Sequence, residues 1–88
     1  MWKVAVTEYA QKQLGKLDKH QAVLLREWMV KNLENCTDPR SIGKPLTGDK
    51  AGWWRYRVGQ YRIMAELRDD TMIIHVVQIG HRKDVYKR

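Results

Sequence analysis

The C-terminal half of the sequence contains three consecutive segments in which apolar and polar residues alternate, and short turn sequences separate them. The segments run from Trp53 to Val58, from Tyr61 to Leu67 and from Thr71 to Ile79. A period of two places successive side chains on opposite faces of a β-strand. Gly59-Gln60 and Arg68-Asp69-Asp70 supply the turns. The pattern therefore predicts a three-stranded antiparallel meander.

In the N-terminal half, the spacing of apolar residues changes from a period of two to a period of 3.6. Residues 2–6 alternate and predict a short strand with one buried face. Thr7 suits an N-cap, and the spacing that follows predicts a helix from Glu8 to about Lys16. Asp18 suits the cap of a second helix, which we expect to form an antiparallel hairpin with the first. The inner stripe of that second helix follows the helical period: Leu25, Trp28, Met29 and Leu33.

The segment from Cys36 to Gly52 carries both prolines and three of the six glycines, which is typical of a loop, and no periodic structure is predicted there. The element order is strand, helix, helix, strand, strand, strand, followed by a basic tail from Gly80. A chain of 88 residues is too short for two independent cores. We therefore predict a single small α+β domain over residues 1–88. Its antiparallel sheet has a helical hairpin on one face and leaves part of the other face available for a ligand.

The charge of the chain is concentrated in its shorter C-terminal part. The formal net charge is +7, and residues 1–49 carry eight basic and six acidic side chains, 8 − 6 = +2. Residues 50–88 carry nine and four, 9 − 4 = +5. An excess of this sign favours encounter with a polyanion, either a nucleic acid or an acidic protein. The site is expected in this second part.

The single cysteine, the N-terminal sequence and the lengths of the apolar runs indicate the compartment and the cofactors to expect. Cys36 cannot form an internal disulfide, and no partner spacing for a metal or a Cys-His nucleophile accompanies it. The N-terminus lacks the apolar segment of a signal peptide, and no apolar run approaches the roughly 18 residues of a membrane span. We expect a cytoplasmic protein without a metal or other cofactor.

The candidate site is a basic cluster on one face of the sheet. The period of two places Arg55 and Arg57 on the same face, and Arg62 can approach them from the neighbouring strand. Such a patch suits RNA phosphate groups. Two simpler interpretations stay open. Arginines on strands often serve solubility, and Tyr86 in the C-terminal tail can be a core aromatic residue. The tail adds further candidates: His81, Arg82, Lys83 and Tyr86.

Four segments, in this order and at these distances, resemble the RelE/ParE superfamily of type II toxins over essentially the whole chain. They are Gly43-Lys44-Pro45-Leu46-Thr47-Gly48, Trp54-Arg55-Tyr56-Arg57, Tyr61-Arg62-Ile63 and the stretch from Ile79 to Tyr86. The resemblance implies the RelE-like, microbial RNase-like form of the predicted fold. It also implies a toxin that cleaves mRNA in the ribosomal decoding site, a cognate antitoxin that wraps the basic surface, and contact with operator DNA only through the antitoxin complex.

Carried over by motif, the resemblance implies that Arg55 and Arg57 take the places of paired basic residues, which are lysines in the best-known members. Arg62 follows the tyrosine of the next strand. The C-terminal pair corresponds to Arg82 and Tyr86. The RNA-binding set is expected to be Arg55, Lys83, Lys44 and Lys50, and the catalytic set is Arg57, Arg62, Arg82, Tyr86 and His81.

The two arginines bear on mechanism because an arginine stays charged and is a poor general base. Attack by the ribose 2′-OH needs a base, stabilisation of the phosphorane charge and a proton for the 5′-oxygen. We assign charge stabilisation to three arginines, backbone positioning to Arg55 and nucleotide stacking or orientation to Tyr86. The base stays open between Tyr86 and His81, with His81 expected to assist. The charge-stabilising arginines are Arg57, Arg62 and Arg82.

Two competing functions remain. A ParE-like toxin shares the fold but poisons gyrase, and such an inhibitor has no chemical need for this cluster of arginines. A non-catalytic nucleic-acid-binding module would use the same cations for affinity alone. A binder should lose affinity gradually as arginines are removed, whereas an enzyme should lose turnover steeply at Arg82 or Tyr86.

Overall fold

The computed structural model describes residues 1–48 and 52–81, and the elements are numbered within those ranges. The helices are α1 (Glu8–Gly15), α2 (Lys19–Asn32) and α3 (Pro39–Ile42). The strands are β1 (Lys3–Val6), β2 (Lys44–Pro45), β3 (Trp53–Val58), β4 (Tyr61–Arg68) and β5 (Ile73–His81). No helix in these ranges is long and apolar enough to cross a membrane.

Side-chain caps start both long helices where the sequence predicts them. The Thr7 hydroxyl accepts a hydrogen bond from the amide of Ala10 at 3.1 Å, and Asp18 accepts one from the amide of His20 at 3.2 Å. Each cap satisfies an amide that has no partner within the helix. The predicted helix starts are thus confirmed, and α1 ends at Gly15, one residue before its predicted end. The predicted stripe of α2 is largely buried: Leu25, Met29 and Leu33 fully and Trp28 partly.

The segment predicted to lack periodic structure contains helix α3 and strand β2, so that prediction is wrong in detail. Asp38 caps α3 by accepting the amide of Arg40 at 3.0 Å, and Pro39 occupies the first helical turn, where its missing N–H is no loss. Elements of four and two residues are too short to show a hydrophobic period. Their placement depends instead on contacts with β3.

The strands form one five-stranded sheet in the order β1-β5-β4-β3-β2. The meander β3-β4-β5 is antiparallel as predicted, and the α+β class is confirmed. Strand β1 runs parallel to β5, which makes the sheet mixed rather than antiparallel. Strand β5 also lies two residues later than predicted, because Met72 has a positive φ of 54° and belongs to the turn.

The two faces of the sheet have different roles. Residues of α1 and α2 share one buried cluster with one face of the sheet, here called the inner face. Its members alternate along the strands, as Tyr56 on β3 and Ile63 on β4 show, and these two residues are directly paired. Side chains at the positions between them project from the opposite side, here called the outer face. The predicted location of the helices on one face is confirmed.

Candidate nucleic-acid interface

Cross-strand pairing brings four of the predicted site residues together on the outer face. Arg57 on β3 lies directly opposite Arg62 on β4, and Arg55 lies directly opposite Lys44 on β2. Directly opposite residues project from the same side of a sheet. The structure therefore places Lys44 beside the arginine group, although Lys44 comes from a segment where the sequence predicted no strand.

The pairing of Arg57 with Arg62 places two cations at directly opposite positions of neighbouring strands. Arg57 is exposed, Arg55 is half-buried, and Arg62 retains only 9% exposure. A guanidinium that is largely out of water attracts an anion strongly.

Two residues at neighbouring positions of the outer face are buried. Met64 lies opposite Arg55 and next to Gln78, and these two residues have 0% and 4% exposure. Gly80 pairs with Arg62 and contributes no side chain to the third strand at that level. A glycine within a strand is common where a ligand approaches the backbone.

His81 is not brought together with the arginines. It pairs with Tyr61, the residue before Arg62, so the alternation of β4 places it on the side of the inner face. Its Nε2 lies 3.1 Å from Oε1 of Gln60, and its ring centroid is 5.7 Å from that of Tyr61. The expected convergence of His81 with Arg57 and Arg62 on one face is therefore not observed.

Four further predicted site residues lie outside the described residues. They are Lys50, before β3, and three residues of the C-terminal tail: Arg82, Lys83 and Tyr86. Their roles stay predictions. Within residues 1–48 and 52–81, no three His, Cys, Asp or Glu side chains lie close enough together to hold a metal ion.

Tyr56 fixes the strand that carries Arg55 and Arg57. Its hydroxyl donates a buried hydrogen bond to the carbonyl of Pro39 at 3.0 Å, and its ring centroid lies 6.0 Å from that of Trp28. Burial raises the pKa of Tyr56 well above its usual range, so this phenol stays neutral. Sequence alternation predicts that Tyr56 points inward, but its anchoring to α3 has no signal in the sequence.

Comparisons with known proteins cover nearly the whole chain. The family model described as the ParE toxin of the type II toxin-antitoxin system parDE matches residues 4–86. Toxin RelG of Mycobacterium tuberculosis is 29% identical over 85 residues, covering 97% of this chain and 95% of the relative. Toxin RelE of the same organism is 30% identical over 84 residues, covering 96% and 84%.

Solved structures of toxin-antitoxin complexes have the same fold. The toxin-antitoxin complex RelBE2 from Mycobacterium tuberculosis contains a chain that matches with a TM-score of 0.84 and 27% identity, covering 92% of this chain and 98% of that one. The archaeal RelE–RelB complex from Pyrococcus horikoshii contains one with a TM-score of 0.70 and 24% identity, covering 96% and 98%. The second likeness concerns the fold alone.

Proposed function

This chain belongs to the RelE/ParE superfamily of type II toxins, and on that premise we propose that it is a ribosome-dependent endoribonuclease that cleaves mRNA in the decoding site. The observation that carries the proposal is the direct pairing of Arg57 with Arg62 on the outer face. Stabilisation of a phosphorane requires converging cations, and this pairing places two of them on neighbouring strands.

The proposed reaction needs no group besides the RNA, the protein and water. The general base takes the proton of the ribose 2′-OH, and the 2′-oxygen attacks the adjacent phosphorus. The bond from phosphorus to the 5′-oxygen breaks, and the leaving oxygen takes up a proton from water. The products are a 2′,3′-cyclic phosphate and a 5′-hydroxyl. Arg57, Arg62 and Arg82 stabilise the charge that develops on the phosphorane, and Arg55 with Lys44 positions the backbone.

The general base cannot be Arg57, because a guanidinium stays protonated in proteins. The position of His81 on the opposite side of β5 supports Tyr86 as the residue that activates the 2′-OH. Single-turnover cleavage by His81→Ala and Tyr86→Phe variants separates the two candidates. Full activity in Tyr86→Phe together with loss in His81→Ala would reverse this assignment.

The basic outer face also suggests which macromolecules the protein contacts. Cations bind phosphates without choosing a scissile bond, so we propose that the ribosome positions the mRNA and that naked RNA is cleaved weakly. The chain is the toxin of a toxin-antitoxin pair. We propose that its antitoxin wraps the basic surface in the cytoplasm and that only their complex contacts operator DNA.

A second candidate is inhibition of gyrase, which the ParE name of the matching family model favours. An inhibitor acts by binding a protein and does not cleave RNA. A DNA-supercoiling assay with purified gyrase tests it directly. Inhibition at stoichiometric toxin, with intact mRNA on programmed ribosomes, would replace the nuclease proposal.

The deciding experiment uses ribosomes programmed with an empty decoding site and maps both ends of the mRNA. Wild-type protein, Arg57→Ala and the double variant Arg82→Ala/Tyr86→Ala are compared with Arg26→Ala, an exposed arginine on α2. We expect cleavage by the wild type and by Arg26→Ala, also with EDTA at concentrations that leave the ribosomes intact, and loss of at least 100-fold in Arg57→Ala. Equal cleavage by Arg57→Ala and Arg26→Ala would contradict the proposed site.

A further inference from the structure

A second row of side chains continues the outer face beyond the arginines. Trp53 on β3 pairs directly with Glu66 on β4, so both project from the outer face. Trp53 lies two residues along β3 from Arg55, and two residues of a strand span about 6.5 Å. A nucleotide whose phosphate contacts Arg55 therefore has Trp53 and Glu66 within reach of its base.

Glu66 is unfavourable on a surface that only neutralises phosphates, because a carboxylate repels them. It is the only carboxylate among the outer-face strand positions in residues 1–48 and 52–81. Its Oε1 lies 4.0 Å from a terminal nitrogen of Arg68, and its direct partner on β5 is His75. The charged side chains that share the face with it are cations: Lys3, Lys44, Arg55, Arg57, Arg62 and Arg68.

A carboxylate can distinguish bases by the hydrogen-bond donors on their edges. An ionised Glu66 only accepts hydrogen bonds, and the amino groups of adenine, cytosine and guanine donate them. Uracil has no amino group, and its one donor on this edge, the N3–H, lies between two carbonyl oxygens that repel a carboxylate. The same group that weakens phosphate binding can therefore discriminate between bases.

Trp53 has a different position from its neighbour Trp54. Trp54 packs against the buried cluster on the inner face, where the guanidinium carbon of Arg40 lies 5.8 Å from its ring centroid. Trp53 is half-buried on the outer face beside Glu66. An aromatic ring beside a basic row provides a stacking surface for an unstacked base.

We propose that Trp53 and Glu66 form a base-recognition subsite of the RNA interface. The indole stacks on a base next to the scissile phosphate, and the Glu66 carboxylate accepts a hydrogen bond from its amino group, so adenine, cytosine or guanine is favoured over uracil there. The inference rests on the proposed nuclease function and adds a determinant of substrate specificity to it.

The test uses ribosomes programmed with mRNAs that carry a randomised decoding codon, and sequencing of the cleaved ends. Glu66→Gln is compared with Glu27→Gln, an exposed glutamate on α2, and Trp53→Leu is compared with Trp53→Phe. We expect wild type and Glu27→Gln to disfavour uracil at one position by roughly ten-fold, and Glu66→Gln to lose that preference. Trp53→Leu should lower cleavage by roughly ten-fold or more, while Trp53→Phe retains most of it.

The outcomes separate the two proposals. Cleavage by the wild type with an unchanged base profile in Glu66→Gln, or a uniform change at every codon, overturns the subsite and leaves the nuclease standing. No cleavage by the wild type at any codon overturns both. Glu66→Gln preserves side-chain size at a partly exposed position. This variant therefore tests the base-recognition subsite even if Trp53→Leu fails to fold.

Discussion

Replacing Gly43 with alanine tests whether β3 is held in place by its close contact with the turn between α3 and β2. A Cβ atom at this position would lie 2.5 Å from the carbonyl oxygen of Arg55 and 2.7 Å from the ring of Tyr56. Neither neighbour can swing aside, because one is backbone and the other is a buried ring whose hydroxyl is bonded to Pro39. The strand itself must therefore move.

Overpacking of this kind lowers the free energy of unfolding by about 1–3 kcal/mol. With a urea dependence of roughly 1–3 kcal/mol per molar for a small domain, the midpoint of unfolding should fall by about 1 M. The same displacement moves Arg55 relative to Lys44, so we also expect slower mRNA cleavage by folded Gly43→Ala protein.

Gly15→Ala is the matched control, since a Cβ at Gly15 meets nothing within 4 Å and the residue ends a helix. Alanine there should leave stability unchanged or raise it by up to about 1 kcal/mol, because it restricts the unfolded chain and favours the helix. Urea midpoints of Gly43→Ala and Gly15→Ala that coincide would refute the argument that close approach at Gly43 fixes β3.

Three further predictions concern single contacts. Tyr56→Phe removes the hydrogen bond to the carbonyl of Pro39, and urea unfolding should show a loss of about 1–2 kcal/mol; an unchanged midpoint would mean that the bond contributes nothing net. The bidentate hydrogen bonds from Arg40 lower the pKa of Asp69, so this pair adds stability above the unfolded pKa of Asp69 and loses it as pH falls through the lower folded pKa. Wild type should therefore melt higher than Asp69→Asn at pH 6 and lose that advantage toward pH 2, whereas a constant difference would contradict the linkage. Arg57→Lys should cleave programmed mRNA faster than Arg57→Ala but slower than wild type, because charge is kept and the planar fork is lost; equal rates for the two variants would show that charge at this position does not contribute.

Local patterns predict those parts of the fold that local forces determine. Alternation placed Arg55 and Arg57 on one face, and the caps Thr7 and Asp18 marked the starts of both long helices, because each signal acts over a few residues. The parallel pairing of β1 with β5 joins residues about seventy positions apart, and nothing in either segment encodes the choice of partner. The sequence predicts that the tail begins at Gly80, so it does not predict the position of His81. Strand β5 continues to His81, and the alternation of the strand turns this side chain away from Arg62.

The two faces of β3 have separate roles: the inner face anchors the strand, and the outer face carries Arg55 and Arg57. Tyr56 lies between Arg55 and Arg57 in the sequence, and its side chain is buried on the inner face. Its hydrogen bond to Pro39 and its contact with Trp28 fix the backbone that carries both arginines. Burial of the inner face thus fixes the backbone from which the outer-face cations project. Cations fixed in advance need little reorganisation when a phosphorane forms, which is where preorganised charge contributes most to rate. Under the proposed function, the low exposure of Arg62, 9%, and its direct pairing with Arg57 place two cations of the site on this fixed backbone.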